Sequence, residues 1–121
     1  NIEHAGGDAQ MEIRQSRNVR IYNFKTERNP VAMRIHSCED ITVYGWGGNA
    51  KPFPGKSLIE IINSHDVRLV SLVDLGRMDG KGYDDLFGKG DHPSLWTMIR
   101  VDSESESYTA KPCERPAYFA V

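Results

Sequence analysis

An all-β fold of the parallel β-helix kind, a solenoid of about three to four coils with one long inserted loop, is predicted by three features of this 121-residue chain. A phrase made of a polar corner and then a strand recurs, apolar residues alternate with period two on both sides of the corner, and the repeat has the length of one solenoid coil. In register the phrases are QMEIRQSRNVRIYNF, AMRIHSCEDITVYGW and LIEIINSHDVRLVSL. Ile13, Ile35 and Ile61 then share one column and Val19, Ile41 and Val67 another, at spacings of 22 and 26 residues.

The first coil, residues 9–30, alternates Met11 and Ile13 with Glu12 and Arg14, turns through Ser16, Arg17 and Asn18, and resumes with Val19 and Ile21. Strict alternation means a strand with one face buried and the other in solvent. Residues 31–57 repeat this as Met33 and Ile35, a corner at Cys38, Glu39 and Asp40, then Ile41 and Val43. The third coil, 58–72, has Ile59 and Ile61, then Ser64, His65 and Asp66, then Val67 and Leu69. Asn or Asp closes each corner, because these side chains bond nearby backbone groups and tolerate the left-handed region. Helical repeats need apolar spacings of three and four. Leucine-rich repeats want an apolar residue where Ser16, Cys38 and Ser64 stand. Residues 73–94 carry five Gly and five Asp and break the pattern, as an inserted loop does. A fourth coil, 95–121, opens with LWTMIRV, placing Trp96 and Met98 in the Ile59 and Ile61 columns; DSESES turns in solvent, and PAYFAV supplies a last strand or a cap. The whole is a single domain. No cap is evident before Met11, so upstream β-helix coils or a partner chain are expected at that end.

Charge is balanced, 15 Lys and Arg against 17 Asp and Glu, with the signs intermixed. This gives no electrostatic reason to expect nucleic acid or an anionic membrane as partner. No apolar run approaches the roughly 18 residues of a spanning helix. Cys38 and Cys113 are too few for a disulfide scaffold and too isolated for zinc. Asn1 is not an initiator residue, which fits a piece of something longer.

The phrase Ser-x-Asn/Asp-Val-x-Ile/Leu, at Ser16 to Ile21 and again at Ser64 to Leu69, resembles the coil consensus of the right-handed parallel β-helix superfamily of pectate lyases and polygalacturonases. The likeness covers residues 9 to 72. It implies a right-handed β-helix, a C-terminal portion of a longer chain, an extracellular or periplasmic setting, and a polysaccharide as partner. The expected function is therefore part of a polysaccharide lyase or glycoside hydrolase, the alternative being a non-catalytic β-helical scaffold, adhesin or carbohydrate-binding module. The polygalacturonase signatures do not carry over: only Asp84-Asp85 could stand for one, and it lies in the Gly-rich loop.

Parallel strands stack about 4.8 Å apart, so the columns map the outward surface. Glu12, Arg34 and Glu60 form one column, and carboxylates two levels apart approach the separation used in inverting glycoside hydrolysis. Arg14 and His36 share the next, and elimination on a uronate needs a cation to neutralise the carboxylate and a base such as His36. The candidate catalytic residues are thus His36, Arg14, Glu12 and Glu60. Arg20, Arg34, Arg68, Tyr22 and Tyr44 are the candidate substrate-binding residues, the arginines for an acidic polymer and the tyrosines as sugar platforms. Trp46, in a column with Phe24 and Leu72, is assigned to the core. No metal site or cofactor is expected, calcium on the loop carboxylates Asp79, Asp84, Asp85 and Asp91 being the one candidate; their spacing matches no EF-hand.

Overall fold

The computed structural model describes residues 2–3, 9–27, 31–49, 56–74, 96–105, 107–110 and 118–121. Ten strands occur there: β1 (Ile2–Glu3), β2 (Met11–Arg14), β3 (Arg17–Glu27), β4 (Met33–His36), β5 (Glu39–Asn49), β6 (Lys56–Ile62), β7 (His65–Asp74), β8 (Trp96–Asp102), β9 (Ser107–Ala110) and β10 (Tyr118–Ala120). The described residues contain no helix, hence none long and apolar enough to cross a membrane.

Two five-stranded sheets result, the first ordered β1-β3-β5-β7-β10 and the second β2-β4-β6-β8-β9. From β1 to β8 the chain passes from one sheet to the other with every strand, and each strand pairs in parallel with the equivalent strand of the next repeat. Backbone bonds continue across the corners as well: Gln15 N–H donates to the His36 carbonyl at 3.0 Å, Ser37 to Ile62 at 2.9 Å and Asn63 to Asp102 at 2.8 Å.

The register is the one read from the columns. Ile13 pairs with Ile35 and Ile35 with Ile61, while Val19, Ile41 and Val67 align across the first sheet. Three residues of each repeat adopt positive φ at equivalent places: Gln15, Ser37 and Asn63; Asn18, Asp40 and Asp66; Asn23, Gly45 and Ser71. The second set bears out the reading of Asn or Asp at the end of the corner. The third set bends the long strands β3, β5 and β7 in mid-course, so that Phe24 and Trp46 turn inward beyond it. Trp46 is 2% exposed and meets Phe24 edge to face at 4.7 Å between ring centroids.

Between the sheets, Met33, Ile35, Ile41, Val43, Ile59, Ile61, Val67 and Leu69 form a continuous buried core. Burying each large aliphatic side chain stabilises by about 1.5–3 kcal/mol. The column Ser16, Cys38, Ser64 lies at the corner, where Ser64 Oγ donates to the Ile62 carbonyl at 2.8 Å and accepts the Cys38 N–H at 2.9 Å. Cys38 is a buried free thiol whose Sγ donates to the His36 carbonyl at 3.3 Å. It stands where the other two repeats have Ser, and makes the same bond two residues back; Cys113 lies outside the described residues.

The ends differ. At the N-terminal end Met11, Ile13, Val19 and Ile21 are only partly buried, unlike their column partners. The stretch before Met11, where no cap is evident from the sequence, contributes β1, whose Ile2 and Glu3 pair in parallel with Thr26 and Glu27. At the other end β8 is not placed as expected: Ile99 and Val101, not Trp96 and Met98, pair with Ile59 and Ile61. The chain then reverses through exposed Glu104 and Ser105; β9 runs antiparallel on β8 and β10 antiparallel on β7, so PAYFAV does end in a strand. Of the loop expected over 73–94, Val73 and Asp74 extend β7 and the rest lies outside the described residues.

Candidate functional site

The nine residues singled out as candidates fall on two separate faces. Glu12 and Arg14 on β2, Arg34 and His36 on β4 and Glu60 on β6 belong to the second sheet; Arg20 and Tyr22 on β3, Tyr44 on β5 and Arg68 on β7 belong to the first. His36 and Tyr44 lie in one repeat but are separated by the left-handed corner at Ser37 and Asp40, and do not share a face.

On the second sheet the outward column continues one residue further than expected, as Glu12, Arg34, Glu60 and Arg100. Arg34 lies between two carboxylates: its Nε donates to Glu60 at 2.8 Å, and its Nη1 is 3.5 Å from Glu12. Glu12 also accepts Arg14 at 2.7 Å, and that bond holds its carboxyl below the usual range, with Arg34 acting in the same direction. Burial disfavours the Arg34 cation, yet the bond and charge of Glu60, with Glu12, outweigh it and raise its pKa. Glu60 is 7% exposed, a correction to its expected place on an open surface, because the Arg34 guanidinium lies against it. An acid catalyst for glycoside cleavage needs a carboxyl shifted upward. Glu12 is shifted the other way, and Glu60 is committed to Arg34. His36 is half-buried and pairs in register with Arg14, whose guanidinium is engaged by Glu12.

The first sheet carries a second ionic knot. Arg20 donates to both carboxylate oxygens of Asp40, at 2.9 and 2.7 Å, and to its backbone carbonyl at 2.7 Å, while Arg68 reaches the same carboxylate at 3.1 Å. The Arg20 bonds hold the Asp40 carboxyl below its usual range, and the reciprocal bond raises Arg20. Thr42, between the two arginines in the outward column, is 2% exposed rather than open to solvent. Beside this knot Tyr22 and Tyr44 stack at 5.2 Å with 9° between ring planes, and remain 66% and 38% exposed. Stacking covers one face of each ring against the other and leaves Tyr22 the more open of the two.

One grouping lies at neither face. Arg17, Glu39 and His65 align on successive repeats along a hollow of about 370 Å³ at the corner. Glu39, His65 and Asp66 each place one donor atom within 4.8 Å of the others, all exposed. Two carboxylates and an imidazole suit a borderline transition metal better than calcium, which takes six to eight oxygens. The loop carboxylates considered for calcium lie outside the described residues. The sequence signal for this grouping was the same register that aligned the core columns, applied to the corner.

No family model, curated protein or solved structure matches the chain.

Proposed function

We propose that the repeats are rungs of a right-handed parallel β-helix, part of a carbohydrate-active protein of the pectate lyase and polygalacturonase kind working outside the cell or in the periplasm. Their outward columns hold a polysaccharide and do not cut it. The coil reading is supported by the alternation of strands between two parallel sheets and by the stacked left-handed corners. The observation that carries the binding role is the exposed Tyr22–Tyr44 pair on the first sheet; on the other sheet Glu12 is held below the usual carboxylate range and Glu60 is bonded to Arg34. Aromatic side chains offer a large contact surface at low conformational cost, with a hydroxyl to orient a polar ligand. A further rung, from upstream coils or a partner chain, completes the stack over Met11, Ile13, Val19 and Ile21, whose partial exposure supports it.

Retention of the purified chain on immobilised polysaccharides, followed together with the ultraviolet absorbance of unsaturated uronate products, tests this reading. Retention without product is the expected result. Unsaturated product that disappears in His36→Ala would establish the eliminative enzyme, with His36 as base beside Arg14. Failure of every polymer to retain the chain would leave a scaffold without a carbohydrate role.

A further inference from the structure

We infer that the polymer accepted by these faces is neutral, a chain of uncharged pyranose rings, and that uronate polymers are disfavoured because the outward arginines are already paired within the protein. The inference rests on the polysaccharide reading above and names the class of ligand.

A polyanion is recognised through cations that can be given to it, preferably as bidentate guanidinium–carboxylate pairs. In the outward columns beyond the corner residue Arg17, the arginines Arg14, Arg20, Arg34, Arg68 and Arg100 all have carboxylate partners within the protein, two of those carboxylates being shared. Arg14 is on Glu12, Arg34 on Glu60 and Glu12, and Arg100 on Asp102; Arg20 and Arg68 share Asp40, with Asp66 3.7 Å from Arg68. Arg20 is the most committed, with four hydrogen bonds from its two terminal nitrogens to the Val19 carbonyl and to Asp40. A uronate carboxylate seeking Arg20 must displace Asp40, leaving that aspartate beside the incoming negative charge. Like-charge juxtaposition of this sort is a strong means of rejecting a ligand.

A neutral sugar meets no such barrier. The Tyr22–Tyr44 strip is flanked on the same face by the Arg20, Thr42 and Arg68 column, and beyond the tyrosines by the uncharged residues Asn23, Gly45 and Ser71. The exposed ring surface of Tyr22 offers an aromatic face to the C–H face of a pyranose, and tyrosine hydroxyls can bond sugar hydroxyls. The paired arginines are still 37% and 41% exposed at the side chain, so their remaining N–H groups can donate to sugar oxygens without giving up Asp40.

The test is a titration of the chain, with its tyrosine rings isotopically labelled, by neutral β-linked hexasaccharides of glucose, xylose and mannose and by hexagalacturonate, at low and at high salt. A neutral hexasaccharide is expected to shift the Tyr22 and Tyr44 resonances with an affinity indifferent to salt, and Tyr22→Ala to weaken it about three- to tenfold. Asp40→Asn is the complementary variant: Asn18 occupies the same left-handed position in its own repeat, so the backbone tolerates the change. With both arginines released, that variant should gain hexagalacturonate binding that fades as salt rises. Salt-sensitive binding of hexagalacturonate by the unaltered chain, tighter than any neutral ligand, would overturn the inference and leave the polysaccharide reading standing. Neutral binding undiminished by Tyr22→Ala would overturn the assignment to the tyrosine strip. Absence of binding to all four sugars would overturn the polysaccharide reading itself, and the inference with it.

Discussion

The same substitution made along one column, Ile13→Ala, Ile35→Ala and Ile61→Ala, measures how completely each repeat is enclosed. Ile35 and Ile61 are fully buried, and Ile35 has Ile13 on one side and Ile61 on the other. Removing three carbons at about 0.8 kcal/mol each costs about 2.4 kcal/mol in transfer free energy. The cavity left in a rigid sheet raises this to about 3–4 kcal/mol. Ile13 is only partly buried; about half the transfer loss applies and no closed cavity forms, giving about 1–1.5 kcal/mol. Urea unfolding, with unchanged slopes to show that the denatured state is not altered, should therefore separate Ile13→Ala from the other two by about 2 kcal/mol. Equal losses at all three positions, independent of protein concentration, would refute the reasoning by showing that the first repeat is as enclosed as the others. Equal losses only at high concentration would instead identify a second chain as the cover.

Gly45 has φ +70°, and a Cβ there would come within 3.2 Å of the Asn23 side-chain oxygen; Gly45→Ala should cost about 1–2 kcal/mol, read from the same unfolding curves, whereas Ser71→Gly in the same column should cost little or stabilise. Glu12 and Asp40 both have carboxyls held below the usual range. A carboxyl depressed by folding contributes stability above its unfolded pKa and loses it as pH falls through the folded one, so the melting temperature should decline on the acid side of the ordinary carboxylate range. Asp40→Asn and high salt should each flatten that decline, and a profile unchanged by either would sink the assignment.

Much of the architecture could be read from side-chain spacing because each repeat obeys the same constraints. The Ile13, Ile35 and Ile61 column and the Asn18, Asp40 and Asp66 corner mark the two places where the chain has least freedom, core and left-handed turn. Trp46 followed from Phe24 and Leu72 for the same reason. The placement of β8 did not follow, because Trp96 and Met98 satisfy one phase of alternation and Ile99 and Val101 the other. With a long insertion upstream, nothing local decides between them. That error concealed Arg100 as the fourth member of the charged column. The reversal after β8 was also hidden, since a polar turn such as Ser103 to Ser105 is compatible with either direction of travel. At the candidate site, the spacing showed which residues align but not that Asp40, classed as a corner residue, takes both arginines. That pairing is diagonal, between a corner column and a strand column, and depends on how long side chains reach across the sheet.

The backward course of β9 and β10 gives assembly a polarity. A parallel stack ordinarily presents the same kind of edge at top and bottom, so copies can join head to tail and continue as a filament. Here one terminus of the stack ends in strands of four and three residues running the other way. Such short edges are poor templates. Addition of another copy across β9 and β10 is therefore disfavoured, whatever lies against the opposite edge of the two sheets.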